Sequence, residues 1–311
     1  NRRKGSDPMM KDSASLLLDP SEVEAINLFC NARVHGLIFG EHASVFTGTR
    51  GFDFSGIRDF EAGDQQIKVD WAHSTTTLFN PLQVRECVEE RSIDIVIAAD
   101  VSCSTRCGTS HGLIGKGIAR TIATIGFSAS IFQDTVGLVL FGGREHIIEP
   151  SRGGLNHVKQ MVELYQTMPA APGLSEKNRL AEILAGELHR TSLVIVASDF
   201  FFPDVFSTLK ELADLKQHHD VFLVMADSAF AFELPLFSSG LISCMDSETG
   251  MLVDLSRSQV QELPRLIREY QDAVADYAER SDLEVLRIFL EAEQFLMAIV
   301  DFFLERRLRR K

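Results

Sequence analysis

The chain has 311 residues, 45% of them hydrophobic, with 31 Lys+Arg against 44 Asp+Glu and a formal net charge of −13. That is apolar material for one large or two modest cores. The negative balance argues against the broad basic surface that nucleic-acid binding needs. No apolar run reaches membrane-spanning length, so no transmembrane segment is expected. The polar opening carries no secretory pattern; residues 1–18 read as a tag-like or disordered start, with Met9 or Met10 as the native one. Five cysteines (Cys30, Cys87, Cys103, Cys107 and Cys244) are an odd count in a large chain, which fits a reducing, cytoplasmic setting better than a disulfide framework. Cys103 and Cys107 lack a second Cys/His pair nearby, so zinc is not expected.

A helix is predicted from residue 19 to about 33, capped by Asp19, Pro20 and Ser21. Residues 40–81 are dense in glycine with short alternations, as in a small β-rich element with tight turns. Residues 82–90 read as a strand leading onward. From residue 91 strands and helices alternate. Strands are predicted at 93–99, 135–141, 145–149, 193–197 and 221–226, and helices at 113–132, 154–168, 179–189 and 203–217. Such alternation implies an α/β fold, a doubly wound, mostly parallel sheet with helices on both faces. Two short runs, 241–245 and 251–255, flank a Gly-containing turn and read as a hairpin. The C-terminus is helical apart from a strand at 284–287. The domain reading is therefore 19–90 for the helix and small β element, 91–256 for the α/β domain and 257–311 for the helical segment. The basic residues Arg306, Arg307, Arg309, Arg310 and Lys311 read as cations closing the last helix. His218 and His219 read as a polar helix end.

The chemistry concentrates in Asp100-Val101-Ser102-Cys103-Ser104. This Asp-x-Ser-x-Ser run follows an apolar, β-branched strand, at the sheet edge where open α/β folds bind ligands. A carboxylate and two hydroxyls on one short loop are hard oxygen donors suited to Mg²⁺. The apolar strand 193–197 ends in Ser198-Asp199, which brings a second carboxylate to the same edge if the two strands are parallel neighbours. Gly112 to Gly117 resembles a phosphate loop only at a glance: its spacing is wrong and no Ser/Thr follows Lys116, so it reads as the opening of a helix packed closely on the sheet.

This arrangement resembles the von Willebrand factor A domain and its metal-ion-dependent adhesion site (MIDAS). The resemblance implies that Asp100, Ser102 and Ser104 form the first metal loop and Asp199 the third. In the second loop, where that family carries Thr, this chain offers Asn178, with Ser175 nearby. A further resemblance runs from about residue 40 to 255. Arg58-Asp59-Phe60-Glu61-Ala62-Gly63-Asp64, Val69-Asp70-Trp71 and Val84-Arg85-Glu86, followed by the von Willebrand A-like segments, are similar to domain-of-unknown-function family 58. Departures are Ile67-Lys68, Thr75-Thr76 and Thr105. Arg58, Gly63, Asp64, Asp70 and Trp71 read as structural, with Asp70 pairing Arg58 and Trp71 as an anchor.

The resemblance implies a bacterial, non-enzymatic interaction or adaptor module, partnered by a MoxR-type AAA+ ATPase, with Mg²⁺ assisting protein capture. No Gly-x-Ser-x-Gly elbow or obvious nucleophile–base pair favours the alternative, a Mg²⁺-dependent hydrolase at the same edge. A metal-free scaffold is the third reading.

Overall fold

The structure, a computed structural model, describes residues 17–31, 53–59, 83–88, 93–110, 112–142, 146–169, 179–233, 241–245 and 251–309. It divides into two compact units, one of Asn1–Ile38 with Asp94–Lys311, the other of Phe39–Ile93.

In the smaller unit β1 (Asp53–Asp59) pairs antiparallel with β2 (Gln83–Val88), placing Arg58 opposite Val84 and Ile57 opposite Arg85. The register slips between Phe54 and Gly56, a bulge that bends the ribbon. Gly63, Asp64, Asp70 and Trp71 lie outside the described residues.

The larger unit is the doubly wound α/β domain. Its sheet contains β3 (Asp94–Asp100), β6 (Thr135–Phe141), β7 (Ile147–Arg152), β8 (Leu193–Ser198), β9 (Asp220–Ala226) and β12 (Glu284–Ile288), in the order β12-β9-β8-β3-β6-β7. All pairings are parallel except β6 with β7. The central strands read as unbroken apolar runs because both faces are covered: every residue of β8 is buried, as is β3 beyond its first residue. The edge strand β7 runs through Pro150, past the predicted end, because an edge tolerates a residue without an N–H. A two-residue pair, β4 (Gly108–Thr109) and β5 (Gly112–Leu113), follows β3, and the hairpin β10 (Leu241–Met245) with β11 (Leu252–Ser256) stands apart from the main sheet.

On one face lie α4 (Leu180–Glu187), α5 (Val205–Leu215) and α6 (Arg257–Arg280). Leu180, Leu184, Leu209, Leu212, Val274 and Ala278 pack there on Val96, Val194, Val196 and Leu223. The other helices are α1 (Pro20–Phe29), α2 (Gly115–Ile131), α3 (Leu155–Thr167) and α7 (Ala292–Arg309). Helix α2 packs on the sheet and also meets α1 and α3, so residues on all its sides are buried. Two glycines allow the close approach expected of Gly112 to Gly117 and beyond: a Cβ on Gly117 would lie 3.0 Å from Ile288 Cδ1, and one on Gly126 2.6 Å from Val158 Cγ1. Helix α1 starts where its cap predicts, with Asp19 Oδ1 accepting from the Glu22 N–H at 2.8 Å. It is tied to α2 through Glu22, which pairs with buried Arg120 and, at 3.0 Å, with Lys116.

The basic tail departs from its sequence reading at Arg306. This residue is only 4% exposed, bonded to Asp220 and Glu284, with its guanidinium 5.0 Å above the Phe222 ring. It closes the β9–β12 edge rather than a helix dipole, because both strands present a carboxylate at the end where α7 returns.

Candidate metal site at the sheet edge

Strand β3 is where the chain reverses its direction of travel across the sheet: β6 and β7 are added on one side, then β8, β9 and β12 on the other. The crevice beyond the carboxyl ends of such strands is the ordinary ligand site of open α/β folds. Asp100 is the last residue of β3, level with Phe141 of β6, while Ala99 is level with Ala197 of β8. Ser198, Asp199 and Gly142 therefore arrive beside Asp100 by register alone.

The Asp100 side chain is buried. Its Oδ1 accepts from the Ser102 N–H at 2.8 Å and its Oδ2 from Ser198 Oγ–H at 2.5 Å, while its main-chain carbonyl accepts from Tyr165 O–H at 3.1 Å. Burial raises the Asp100 carboxyl above its ordinary value, opposed by the hydrogen bonds from Ser198 and Ser102. Burial likewise pushes the Tyr165 phenol far up, keeping it a neutral donor. After Ser102 the chain makes one 3-10 turn (Cys103–Arg106), held by Thr105, whose N–H and Oγ1–H both donate to the Ser102 carbonyl, at 3.2 and 2.7 Å. The turn brings the Ser102 and Ser104 hydroxyls into a hydrogen bond with each other at 3.0 Å. Thr105, a departure from the resemblance, is thus fully buried and satisfied within its own turn.

The third loop is held more tightly than the sequence indicates. Asp199 is 1% exposed and its Oδ1 accepts from the Phe201 N–H at 3.1 Å. Phe200 adopts φ +60°, a left-handed conformation that a bulky side chain rarely takes. Its N–H donates to Ser198 Oγ at 2.8 Å. Helix α6 clamps the same loop: Gln271 Nε2–H donates to the Asp199 and Ala226 carbonyls at 3.2 and 2.9 Å, Tyr270 O–H donates to the Phe200 carbonyl at 3.1 Å, and the Tyr270 and Phe201 rings stack at 4.8 Å.

The structure thus brings Asp100, Ser102 and Ser104 together and sets Asp199 on the neighbouring strand end; Asn178 and Ser175 lie outside the described residues. Do these residues fit Mg²⁺? Two oxygens each about 2.1 Å from one octahedral ion, at right angles, stand about 3.0 Å apart, and the Ser102 and Ser104 hydroxyls show that spacing. The buried Asp100 carboxylate is costly to charge without a cation, and all the donors are hard oxygens. Among the described residues no group of three or more His, Cys, Asp or Glu is placed to hold a metal.

The model of the family described as "Protein of unknown function DUF58" matches residues 56–280. The chain is a member of the DUF58 family. No curated protein matches it. Among solved structures it is similar to an aerotolerance-related membrane protein of Bacteroides fragilis NCTC 9343 carrying multiple mutations to serine, at 13% identity and a TM-score of 0.34, over 61% of this chain and 100% of that one. It is also similar to the conserved hypothetical protein BatB of Bacteroides thetaiotaomicron, at 13% identity and a TM-score of 0.33, over 61% and 99%. Likenesses this loose add nothing to the strand order itself. Among the described residues no helix is long and apolar enough to cross a membrane.

Four residues of this DUF58 site escape the sequence reading. Ser198 donates its hydroxyl to Asp100, and its place before Asp199 at a strand end is the available signal. Gly142 has φ +94°, and a Cβ there would lie 2.5 Å from Asp100 Oδ1; its signal was the Gly pair after a strand. Tyr165 and Gln271 come from helices 65 and 72 residues away in sequence, and nothing local marks them.

Proposed function

We propose that this DUF58 chain is a non-enzymatic protein-docking module whose docking face is the Asp100–Ser102–Ser104–Asp199 edge, completed by Mg²⁺. The observation that carries the reading is the 3.0 Å spacing of the Ser102 and Ser104 hydroxyls beside a buried carboxylate. In this reading Asp100, Ser102 and Ser104 hold the ion, with Asp199 nearby and Asn178 in the position where the von Willebrand A pattern has Thr. Bound Mg²⁺ would supply a Lewis-acidic position open to a carboxylate of a partner protein. The chain's own residues do the rest. Ser198 and the Ser102 N–H orient the Asp100 carboxylate, the 3-10 turn sets the two hydroxyls, and Gln271 and Tyr270 fix the Asp199 loop.

The partner we infer is a MoxR-type AAA+ ATPase, on the family resemblance, with the pair acting in assembly or maturation of other proteins in the cytoplasm. The test is binding of the purified chain to that ATPase from the same genome, in Mg²⁺ and in EDTA, with Asp100→Ala alongside. Binding seen only in Mg²⁺ and lost in Asp100→Ala is expected. Equal binding in both buffers would sink the cation-dependent version and favour a metal-free scaffold. That second reading has one observation behind it: both Asp100 carboxylate oxygens already accept protein hydrogen bonds.

A further inference from the structure

Two cysteines bracket the serine turn and have no part in the reading above. Cys103 is the second variable residue of Asp-x-Ser-x-Ser and opens the 3-10 turn; Cys107 caps its end. Both are thiols, each partly open to solvent. The Cys107 Sγ–H points back across the turn to the Cys103 carbonyl, at 3.7 Å. The turn between them is held by the two bonds from Thr105 to the Ser102 carbonyl and by the Cys107 N–H, which donates to Ser104 O at 2.9 Å. Its far end is anchored, since the Cys107 carbonyl accepts from the Ile114 N–H at 2.9 Å.

We propose that Cys103 and Cys107 are a redox pair whose disulfide opens the serine turn and withdraws Ser104 from the cation site. This rests on the reading of that site as cation-binding. A disulfide holds its two Cα atoms about 4.4–6.8 Å apart. A 3-10 helix rises about 2.0 Å per residue, so four steps carry the chain roughly 8 Å. The bond therefore forms only if the turn shortens. With Cys107 tied to Ile114 and Ser102 tied to Asp100, the residues that must move are Ser104, Thr105 and Arg106. Movement there separates the Ser102 and Ser104 hydroxyls and breaks the Thr105 bonds that set them. The same mismatch makes the disulfide strained and hence readily reduced, so the change is reversible.

The exchange balances with glutathione disulfide as oxidant. One cysteine, as thiolate, attacks the glutathione disulfide, forming a protein–glutathione bond and releasing one glutathione thiolate. The second cysteine thiolate attacks the protein sulfur of that mixed disulfide, forming the Cys103–Cys107 bond and releasing the second glutathione. The protein loses two electrons, glutathione disulfide gains them, and the two cysteine protons end on the two glutathione thiols.

The experiment equilibrates the full chain in glutathione buffers of graded ratio, traps thiols by alkylation and maps the peptides by mass spectrometry. Amide hydrogen exchange over residues 102–107 and Mn²⁺ binding by electron paramagnetic resonance are read on the same samples, with Cys107→Ser as control. The expected result is an internal Cys103–Cys107 disulfide, faster exchange at the Thr105 and Cys107 amides, and Mn²⁺ affinity weaker by about tenfold or more. Cys107→Ser should bind Mn²⁺ like the reduced parent in every buffer. Two thiols that persist, or that end only as separate glutathione adducts, overturn the proposal, as does a disulfide that leaves both exchange and Mn²⁺ affinity unchanged. A reduced chain that binds no Mn²⁺ but whose turn opens on oxidation would overturn the cation reading while supporting the disulfide-driven opening.

Discussion

Gly142→Ala tests whether the floor of the site is set by a missing atom. Two costs are expected. At φ +94° any L side chain is strained, by about 1–3 kcal/mol. The new Cβ also lies 2.5 Å from Asp100 Oδ1 and 3.1 Å from Ser102 N. The carboxylate must therefore shift, giving up a hydrogen bond to a charged group worth about 1.5–3 kcal/mol. Gly154→Ala separates the two, because Gly154 has a similar φ of +103° and nothing within 4 Å of its Cβ position. Reduced conformational freedom of the unfolded chain returns about 0.4–1 kcal/mol in either variant. The net expectation is a loss of about 3–4 kcal/mol for Gly142→Ala and about 1–2 kcal/mol for Gly154→Ala. Urea unfolding followed by circular dichroism reads both; at a slope of about 3 kcal/mol per molar the midpoints fall by roughly 1 M and 0.5 M. Mn²⁺ binding should be lost only in Gly142→Ala. Equal midpoint shifts in the two variants, or Gly142→Ala that binds Mn²⁺ like the parent, would refute the reasoning.

Asp100→Asn should change the pH profile of stability. With its carboxyl raised above the ordinary 3.8, Asp100 loses its proton first in the unfolded chain, so its contribution to stability falls as pH rises from that value to the raised one and stays low above it. Thermal melts without divalent ions should then show the parent losing stability over that window relative to Asp100→Asn; parallel curves would contradict the buried-charge argument. Saturating Mg²⁺, at about 100 times its Kd, should stabilise the parent by roughly 2.7 kcal/mol and Asp100→Asn not at all, read as a shift in melting temperature. Tyr165→Phe should cost about 1–2 kcal/mol in urea unfolding, the penalty for leaving the Asp100 carbonyl without its donor; no loss would mean that carbonyl is satisfied otherwise. Arg306→Met should cost about 3 kcal/mol by the same measurement, because Asp220 and Glu284 would keep their charge without the cation between them.

Most of the sheet is legible in the sequence because its four central strands, β3, β6, β8 and β9, are buried on both sides, so each reads as an apolar run with no need to guess a facing. The predicted 135–141 strand coincides with β6, and the others shift by one to three residues. The site is legible where its donors are neighbours in the chain, as Asp100, Ser102 and Ser104 are, or stand at a strand end, as Asp199 does. It is illegible where contacts join distant segments. Nothing around Tyr165 announces a bond to Asp100, and nothing around Gln271 announces a grip on Asp199. Arg306 misleads for the opposite reason: it sits in a basic run whose ordinary meaning, a helix end, hides the two carboxylates that only folding brings to it.

The larger unit is interrupted in sequence, and this bears on how the chain is made. Helix α1 leaves the ribosome before the smaller unit, with the Ile26 and Cys30 side chains that are later buried. Its partner α2 begins about 85 residues further on. At ordinary elongation rates of about 5–20 residues per second, that is a wait on the order of ten seconds. Until then Glu22 has no Arg120 to meet and the apolar side of α1 has no cover. The smaller unit, Phe39–Ile93, is synthesised whole within that interval. For that interval the apolar side of α1 is open to misassociation, whatever the smaller unit is doing.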